Sequence, residues 1–183
     1  MAEFSKTSLL RQVQSPRLNL IAATSLLIEK DIAGREYLER ALGVSVSEAW
    51  PPDLYGPRAM HFTLTHQGDA AEQGWSFWYL VTRGAPEELI GVCGFKGWPD
   101  ESGSVEIAYS ILSPYQRQGF ASEAVQRLTG WAFSHHNVNE VCAETLPHLV
   151  QSIGVLEKNG FARAGAGSEA GVVRYAVRRS SLN

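Results

Sequence analysis

A polar, glycine-containing turn runs directly into a helix-forming stretch at Tyr115–Ala124, with the sequence YQRQGFASEA. The unpaired amides of a first helical turn, together with the helix dipole, form a site of phosphate size. Gly119 lets the backbone approach a ligand because it carries no Cβ, and Arg117 adds a charge that suits a diphosphate. An ordinary solvated strand-to-helix turn explains the same pattern, so these residues by themselves leave both interpretations open.

Two common nucleotide-binding motifs are missing. The run lacks GxGxxG, and the whole sequence lacks GxxxxGK[ST]. The run does contain the pattern Q/R-x-x-G-x-G/A, at Gln116–Ala121. This hexapeptide closely resembles the pyrophosphate loop of the GNAT N-acyltransferases, a family that binds acetyl-CoA.

Three further stretches carry the same resemblance and occur in the family's order. VEIAYSILSPYQRQGFASEA, from Val105, looks like the family's central strand, loop and helix. SIGVLEKNGF, Ser152–Phe161, resembles a helix of the RimJ/RimL-like branch, which acetylates protein N-termini among other amines. SPRLNLI, from Ser15, resembles the opening strand of that branch. From about residue 15 to 178, the chain is identified as a member of this family.

The resemblance implies the GNAT fold, of the α/β (α+β) class. Its mixed, mostly antiparallel sheet carries helices on both faces. A V-shaped split separates two central parallel strands, here 104–112 and 138–146. The pantetheine arm would lie in this split, against strand edges that include Ile111 and Leu112. The diphosphate would lie on the loop and on the helix that starts near Ala121, against Gln116, Arg117, Gln118, Gly119, Phe120, Ala121 and Ser122.

The activity implied by the resemblance is acetyl-CoA-dependent N-acetyl transfer to a primary amine. The acceptor would be a protein N-terminus or a small-molecule amine, acetylated directly in a ternary complex. No metal is expected. The rival hypothesis is a CoA-binding but catalytically idle domain that serves as a regulatory or interaction module, because a fold does not guarantee a function.

Amine acetylation needs a group that takes the amine proton, since an α-amino group titrates near pH ~8. Glu106 is the preferred base. It lies mid-strand, on the face opposite Val105, Ile107 and Tyr109, and matches a glutamate that the family often has in an E-I-x-Y motif. A structural carboxylate is the alternative for Glu106. Glu144, near the end of the neighbouring strand, is the second choice, either as base or as an anchor for a cationic substrate.

The leaving thiolate profits from a proton or a hydrogen bond. Many relatives carry a tyrosine in the last helix, but the matching residue here is Leu156, so that acid is absent. The RimJ/RimL-like branch has a serine earlier in the helix. Ser152 matches it and could hydrogen-bond the coenzyme sulfur, or could simply be a helix N-cap. The branch often has asparagine three residues earlier; Leu149 stands there, which weakens the transfer of CoA contacts from this helix.

The acceptor, by the same resemblance, would lie over the early helices and the last hairpin. The predicted acceptor contacts are Trp50, Tyr109 and Glu144. Trp50 begins a proline-rich segment, Trp50–Met60, that is either a lip of the acceptor site or an ordinary packed loop. Nothing in the sequence selects among a peptide, an aminoglycoside, a polyamine and a free amino acid.

Length and composition indicate one globular domain over residues 1–183, with residues 1–13 as a candidate flexible arm. The net charge is −3 without a basic block, so neither a nucleic acid nor a membrane surface is an expected partner. We expect a cytoplasmic location, because no signal peptide or apolar run of transmembrane length occurs. Cys93 and Cys142 should be buried free thiols. Pairing of exposed strand edges could produce a homodimer.

Hydrophobic periodicity predicts the elements that position these residues. A first strand, Ser15–Ala23, precedes helices in SLLIEKDI and GREYLERALG, and a further short helix covers Arg58–His66. WSFWYLVTR and ELIGVCGFKG form a hairpin, and GSVEIAYSIL is the next strand. A helix follows the glycine loop. VNEVCAETL is then a strand, LVQSIGVLEKNGF a helix ending at Gly160, and GVVRYAVRR a final strand after a glycine-rich turn.

Overall fold

The computed structural model describes residues 10–181, and within this range nine strands and six α-helices are assigned. The strands are β1 (Gln12–Gln14), β2 (Leu18–Ala22), β3 (Ser45–Val46), β4 (Phe77–Thr82), β5 (Glu88–Phe95), β6 (Ser104–Ile111), β7 (Glu140–Thr145), β8 (Ala162–Ala166) and β9 (Val173–Arg178). The helices are α1 (Ser25–Ala33), α2 (Arg35–Leu42), α3 (Pro57–His66), α4 (Gly68–Glu72), α5 (Phe120–Phe133) and α6 (Val150–Lys158).

The strands form one sheet in the order β1-β2-β4-β5-β6-β7-β9-β8, and β3 adds to β5. The pairs β3/β5 and β6/β7 are parallel, whereas the other neighbouring strands are antiparallel. Helices cover both faces of the sheet. The predicted mixed, mostly antiparallel α/β fold is therefore confirmed.

The central parallel strands diverge. β6 and β7 pair at Ser104–Glu140, Val105–Val141 and Glu106–Cys142, where the register of these two strands ends. Beyond that point β6 continues along β5, while β7 continues along β9. The predicted V-shaped split is therefore present, and Glu106 belongs to the last residue pair before it opens.

A carboxylate clamps the closed end of the split. Glu140 on β7 accepts hydrogen bonds from Arg174 Nη2 at 2.9 Å, from Arg178 Nε at 3.1 Å and from Ser104 Oγ at 3.2 Å. The two arginines lie on β9 and the serine on β6, so three strands meet at one side chain. This clamp fixes the end from which the strands diverge.

Two hydrophobic cores lie on opposite faces of the sheet because its central strands are buried on both sides. On β4, Tyr79 and Leu80 are both fully buried, yet they belong to different cores. Leu80 packs in the core under α5 and α6, with Leu128 and Leu156. Tyr79 packs in the core under α1 to α4. Each face of the sheet is therefore covered by its own layer of helices.

The structure differs from the elements predicted from the sequence at four places. The predicted flexible arm covers residues 1–13, of which residues 1–9 lie outside the described part of the chain. Gln12 and Val13 of this arm belong to β1 and pair with β2. β3 and the short helix α4 were not predicted. The glycine-rich turn contains strand β8, whose sequence ARAGA is exposed at all five residues. Its apolar positions are all alanine, a residue that is depleted in strands, so the pattern gave little indication of a strand.

Both cysteines are buried free thiols, as predicted. Burial raises the pKa of Cys93 and that of Cys142. As for a membrane span, no helix between residues 10 and 181 combines the length and the apolar character that crossing a bilayer requires.

Candidate functional site

The predicted anion loop leads into the N-terminus of α5, a helix of 14 residues. Gly119 is the N-cap with φ +84°, and Arg117 has φ +60°. Both values lie in the left-handed region, which turns the chain sharply and which glycine adopts most easily. Within residues 10–181 no side chain caps this helix end. The first amides of α5 are therefore available to an anion.

Arg17, which the sequence analysis did not single out, braces this loop from the turn between β1 and β2. Its Nη1 donates to the Gln118 carbonyl oxygen at 2.9 Å, and its Nε donates to the Glu123 carboxylate at 2.7 Å. Its guanidinium carbon lies 4.4 Å from the centroid of the Phe120 ring. Ser15 Oγ donates to the same carboxylate at 2.7 Å. The available signal was the place of Arg17 within the family-like stretch SPRLNLI.

The edge of β6 is open where it borders the split. Successive residues of a strand direct their backbone groups to alternate sides. The Glu106 carbonyl oxygen and the Leu112 amide both form hydrogen bonds toward the β5 side. Tyr109, at an odd position between them, therefore directs its amide and carbonyl groups toward the split, whereas the Ile107 amide faces β7 at the last residue pair, Glu106–Cys142.

Two of the predicted coenzyme contacts, Ile111 and Leu112, each have one backbone group that already forms a hydrogen bond within the protein. The Leu112 amide donates to the Ile90 carbonyl oxygen at 2.9 Å. The Ile111 carbonyl oxygen accepts a hydrogen bond from Gln116 Nε2, also at 2.9 Å. The Ile111 amide, rather than the Leu112 amide, therefore faces the split, and Gln116 ties the anion loop to the end of β6.

Glu106 lies at the base of the split and is held there by an ion pair. Its carboxylate contacts Lys96 Nζ, and its side chain is 25% exposed. Lys96 also donates its backbone amide to the Glu106 carbonyl oxygen at 3.0 Å. The candidate base is thus oriented, partly shielded from water and paired with a cation that the sequence analysis missed.

Tyr109 connects β6 to α6. Its hydroxyl lies 3.0 Å from Ser152 Oγ and 3.1 Å from the Ser152 carbonyl oxygen. Burial raises the pKa of Tyr109 to about 12, so the phenol stays protonated at neutral pH. The N-cap of α6 is Leu149, so the interpretation of Ser152 as a helix cap is wrong. Leu156, at the position of the missing family tyrosine, is fully buried.

Glu144 is held by Ser168, in the turn between β8 and β9. Its two carboxylate oxygens accept hydrogen bonds from the Ser168 amide at 2.8 Å and from Ser168 Oγ at 2.6 Å. The Ser168 hydroxyl is the main cause of a lowered pKa of Glu144. These hydrogen bonds stabilise the charged form of Glu144 and make its carboxylate a weaker base.

Trp50 is half-buried and faces the protein interior. Its Nε1 donates to Asp31 at 2.8 Å, and Asp31 also accepts from the hydroxyls of Tyr79 at 3.0 Å and Tyr55 at 3.3 Å. Burial is the main cause of a raised pKa of Asp31. The structure therefore favours the packed-loop alternative for Trp50, and the residues of this loop that reach a cavity are Leu54 and Tyr55.

This cavity has a volume of about 460 Å³ and lies next to the candidate base. Its walls come from the Leu54–Tyr55 loop, α3, β4, β5 and β6, and the β6 residues are Ala108, Tyr109 and Ser110. Lys96, the partner of Glu106, also lines it. A larger depression of about 760 Å³ lies between α2 and the β4–β5 turn, and it includes no residue of the anion loop or of β6. The smaller cavity is therefore the candidate acceptor site.

Comparison with known sequences agrees with this arrangement. Residues 31–162 match the family model described as an acetyltransferase (GNAT) domain. The uncharacterized N-acetyltransferase YjdG of Bacillus subtilis is 30% identical over 122 residues, which make up 67% of this chain and 72% of YjdG.

Solved structures share the fold. The ribosomal-protein-S5-alanine acetyltransferase of Vibrio fischeri superimposes with a TM-score of 0.67 at 16% identity, over 94% of this chain and 99% of that one. RimL, a ribosomal-protein acetyltransferase solved in complex with coenzyme A, gives a TM-score of 0.63 at 18% identity, over 92% and 98% of the two chains. At such identities the likeness shows a common fold.

Proposed function

The chain belongs to the GNAT acetyltransferase family, and we propose that it moves the acetyl group of acetyl-CoA to a primary amine by direct transfer in a ternary complex. Its structural neighbours include RimL, of the branch that the sequence motifs predicted. One observation carries the proposal. On β6, Glu106 and Tyr109 are three residues apart and project to opposite faces of the sheet at the opening of the split. The acceptor and the coenzyme can therefore meet there from opposite sides.

The residues around the split fit the coenzyme. A diphosphate suits the uncapped amides of α5, with Gly119 at the N-cap and the exposed Arg117 beside it. An amide-containing chain suits the open edge of β6 at Tyr109 and Ile111, because it can pair with the backbone there. When bound, acetyl-CoA supplies the thioester carbonyl that the amine attacks and the sulfur that leaves.

Glu106 takes the amine proton in this proposal, directly or through a water molecule. The carboxylate is on the face of the sheet that carries the cavity, and Ala108 and Ser110 on the same face line that cavity. The backbone amide of Tyr109 faces the split and can donate to the oxyanion as the C–N bond forms and the C–S bond breaks. The base and the oxyanion donor thus come from one strand.

Ser152 assists the sulfur from the other face. Tyr109 has one hydroxyl proton; when it donates that proton to Ser152 Oγ instead of the Ser152 carbonyl oxygen, the serine proton is free to point at the leaving sulfur. Full proton transfer from a tyrosine with a pKa of about 12 to a thiolate whose acid has a pKa of about 8.5 would be uphill. We therefore assign this pair the role of hydrogen-bond donor to the sulfur, in place of the tyrosine acid that Leu156 replaces.

The decisive experiment measures thiol release from acetyl-CoA with a panel of amines, alongside calorimetric binding of acetyl-CoA in their absence. Release that requires an amine, with the acetylated amine identified by mass spectrometry, supports the proposal. Binding of acetyl-CoA without release by any amine would instead favour the idle regulatory module. The cytoplasmic location and a homodimer stay predictions.

A further inference from the structure

We propose that the acceptor is a primary amine whose attached group is apolar or aromatic and carries no second positive charge. This inference rests on the proposed function, because it concerns the acceptor of the same reaction. It starts from the position of the cavity. Ala108 and Ser110 line the cavity and are on the same face of β6 as Glu106, two and four residues further along the strand. A group bound in the cavity can therefore present its amine to Glu106.

The walls of the cavity are mainly apolar. They include Tyr55, Phe62, Phe77 and Val92. The volume of about 460 Å³ falls in the range of roughly 300–1,000 Å³ that is typical of small-molecule sites. A phenyl or alkyl group would bury apolar surface on these walls, and each buried CH₂ is worth about 0.8 kcal/mol.

The charge of the lining argues against a polycation. All the lining residues belong to the described part of the chain, and Lys96 is their one charged side chain. The candidate base, Glu106, is already paired with Lys96. A second ammonium group in the cavity would therefore lose its hydration without gaining a counter-ion, and Lys96 would repel it.

The mouth of the cavity points to the same class of acceptor. Leu54 is 94% exposed and Phe62 is 53% exposed, although both are large apolar side chains. Leu54 is also held at φ +66°, a left-handed conformation that costs a leucine free energy. Exposed apolar side chains next to a cavity are explained if an apolar ligand covers them.

The test uses two pairs of acceptors that differ mainly in charge. The first pair is hexylamine and 1,6-diaminohexane, and the second is a tetrapeptide that begins with phenylalanine and the same peptide beginning with lysine. We expect kcat/KM to be at least about tenfold higher for the apolar member of whichever pair is acetylated. Equal or higher kcat/KM for the diamine and the lysine peptide would overturn this inference and leave the proposed function intact. If neither pair is acetylated while other amines of the panel are, this inference fails and the proposed function stands; if acetyl-CoA binds and no amine releases thiol, the proposed function fails as well.

A variant at the mouth of the cavity tests whether this cavity determines the preference between the two amines. Phe62→Glu places a carboxylate at an exposed position of α3, where it should not impair folding. It should lower kcat/KM for hexylamine and raise it for 1,6-diaminohexane, each by roughly tenfold. Leu26→Glu is the matched control, since Leu26 is 58% exposed on α1 and does not line the cavity. An identical preference in Phe62→Glu and in the unmodified protein would overturn the assignment of the cavity.

Discussion

The hydroxyl groups of Tyr109 and Ser152 lie 3.0 Å apart and join strand β6 to helix α6 beside the split. The sequence assigned Tyr109 to the acceptor and Ser152 to the coenzyme sulfur. The structure makes them a pair, although 43 residues separate them in the chain. Their contact shows how a serine that is not a helix cap is held in a fixed orientation.

Removing either hydroxyl of this pair should slow turnover without weakening acetyl-CoA binding. We expect Ser152→Ala and Tyr109→Phe each to lower kcat by roughly tenfold, the worth of one hydrogen bond. The double variant should be no slower than Ser152→Ala, because the two hydroxyls act as a unit. Tyr37→Phe, at an exposed tyrosine on α2, is the control. An unchanged kcat in Ser152→Ala would reduce the pair to a structural contact.

Glu106→Gln should lower kcat at neutral pH on the order of a hundredfold, since it preserves shape and removes the base. The acceptor must then arrive already neutral, so the rate of the variant should keep rising toward the acceptor's own pKa. Steady-state rates across pH with a single amine measure this. Glu101→Gln, in the exposed turn before β6, controls for charge. A profile that is merely scaled down at every pH would mean that Glu106 is structural.

Gly119→Val should weaken acetyl-CoA binding by roughly tenfold or more, because it distorts the amides at the start of α5. The left-handed backbone also costs a valine about 1–2 kcal/mol of stability. Gly43→Val controls for that strain, since Gly43 has a similar φ of +73° and open space around it. The Tm should fall by a similar amount in both variants. Calorimetry should show that only Gly119→Val binds acetyl-CoA more weakly. Normal binding in folded Gly119→Val would contradict the assignment of the loop.

The brace under the anion loop should make stability depend on pH. Burial opposes ionisation of Glu123, but hydrogen bonds from Ser15 and Arg17 outweigh it and lower the pKa of Glu123. A lowered folded-state pKa gives stability that is present above the unfolded pKa of about 4.3 and is lost as the pH falls through the folded value. Glu123→Gln should therefore cost about 1 kcal/mol at pH 7, given solvent screening, and almost nothing at acid pH. Denaturant unfolding at both pH values measures this; an equal loss at both would contradict the linkage.

Local patterns allowed a large part of the fold to be predicted. The glycine loop, the alternation of β6 and the hairpin of β4 and β5 each depend on residues close in sequence. What could not be predicted depends on contacts between distant segments. Asp31 gathers Trp50, Tyr55 and Tyr79 around one carboxylate, and no spacing in the sequence indicates that they meet.

In the candidate site too, local patterns could be predicted and contacts between distant segments could not. The motif identified the loop at Gly119 and the glutamate at 106 because each is a short run of residue types. The ion pair of Glu106 with Lys96 became visible only when β5 and β6 were placed side by side. The cavity was missed for the same reason, since its walls come from four different elements and one loop.

The split in the sheet also has a consequence for hydrogen exchange. Along β6 the amides of Ala108, Ser110 and Leu112 are bonded toward β5, whereas those of Tyr109 and Ile111 face the opening. In the free protein, exchange with deuterated water should therefore alternate between slow and fast from one residue to the next along a single strand. A ligand that hydrogen-bonds to the open edge would act as a missing strand, so its arrival would convert this alternation into uniform protection.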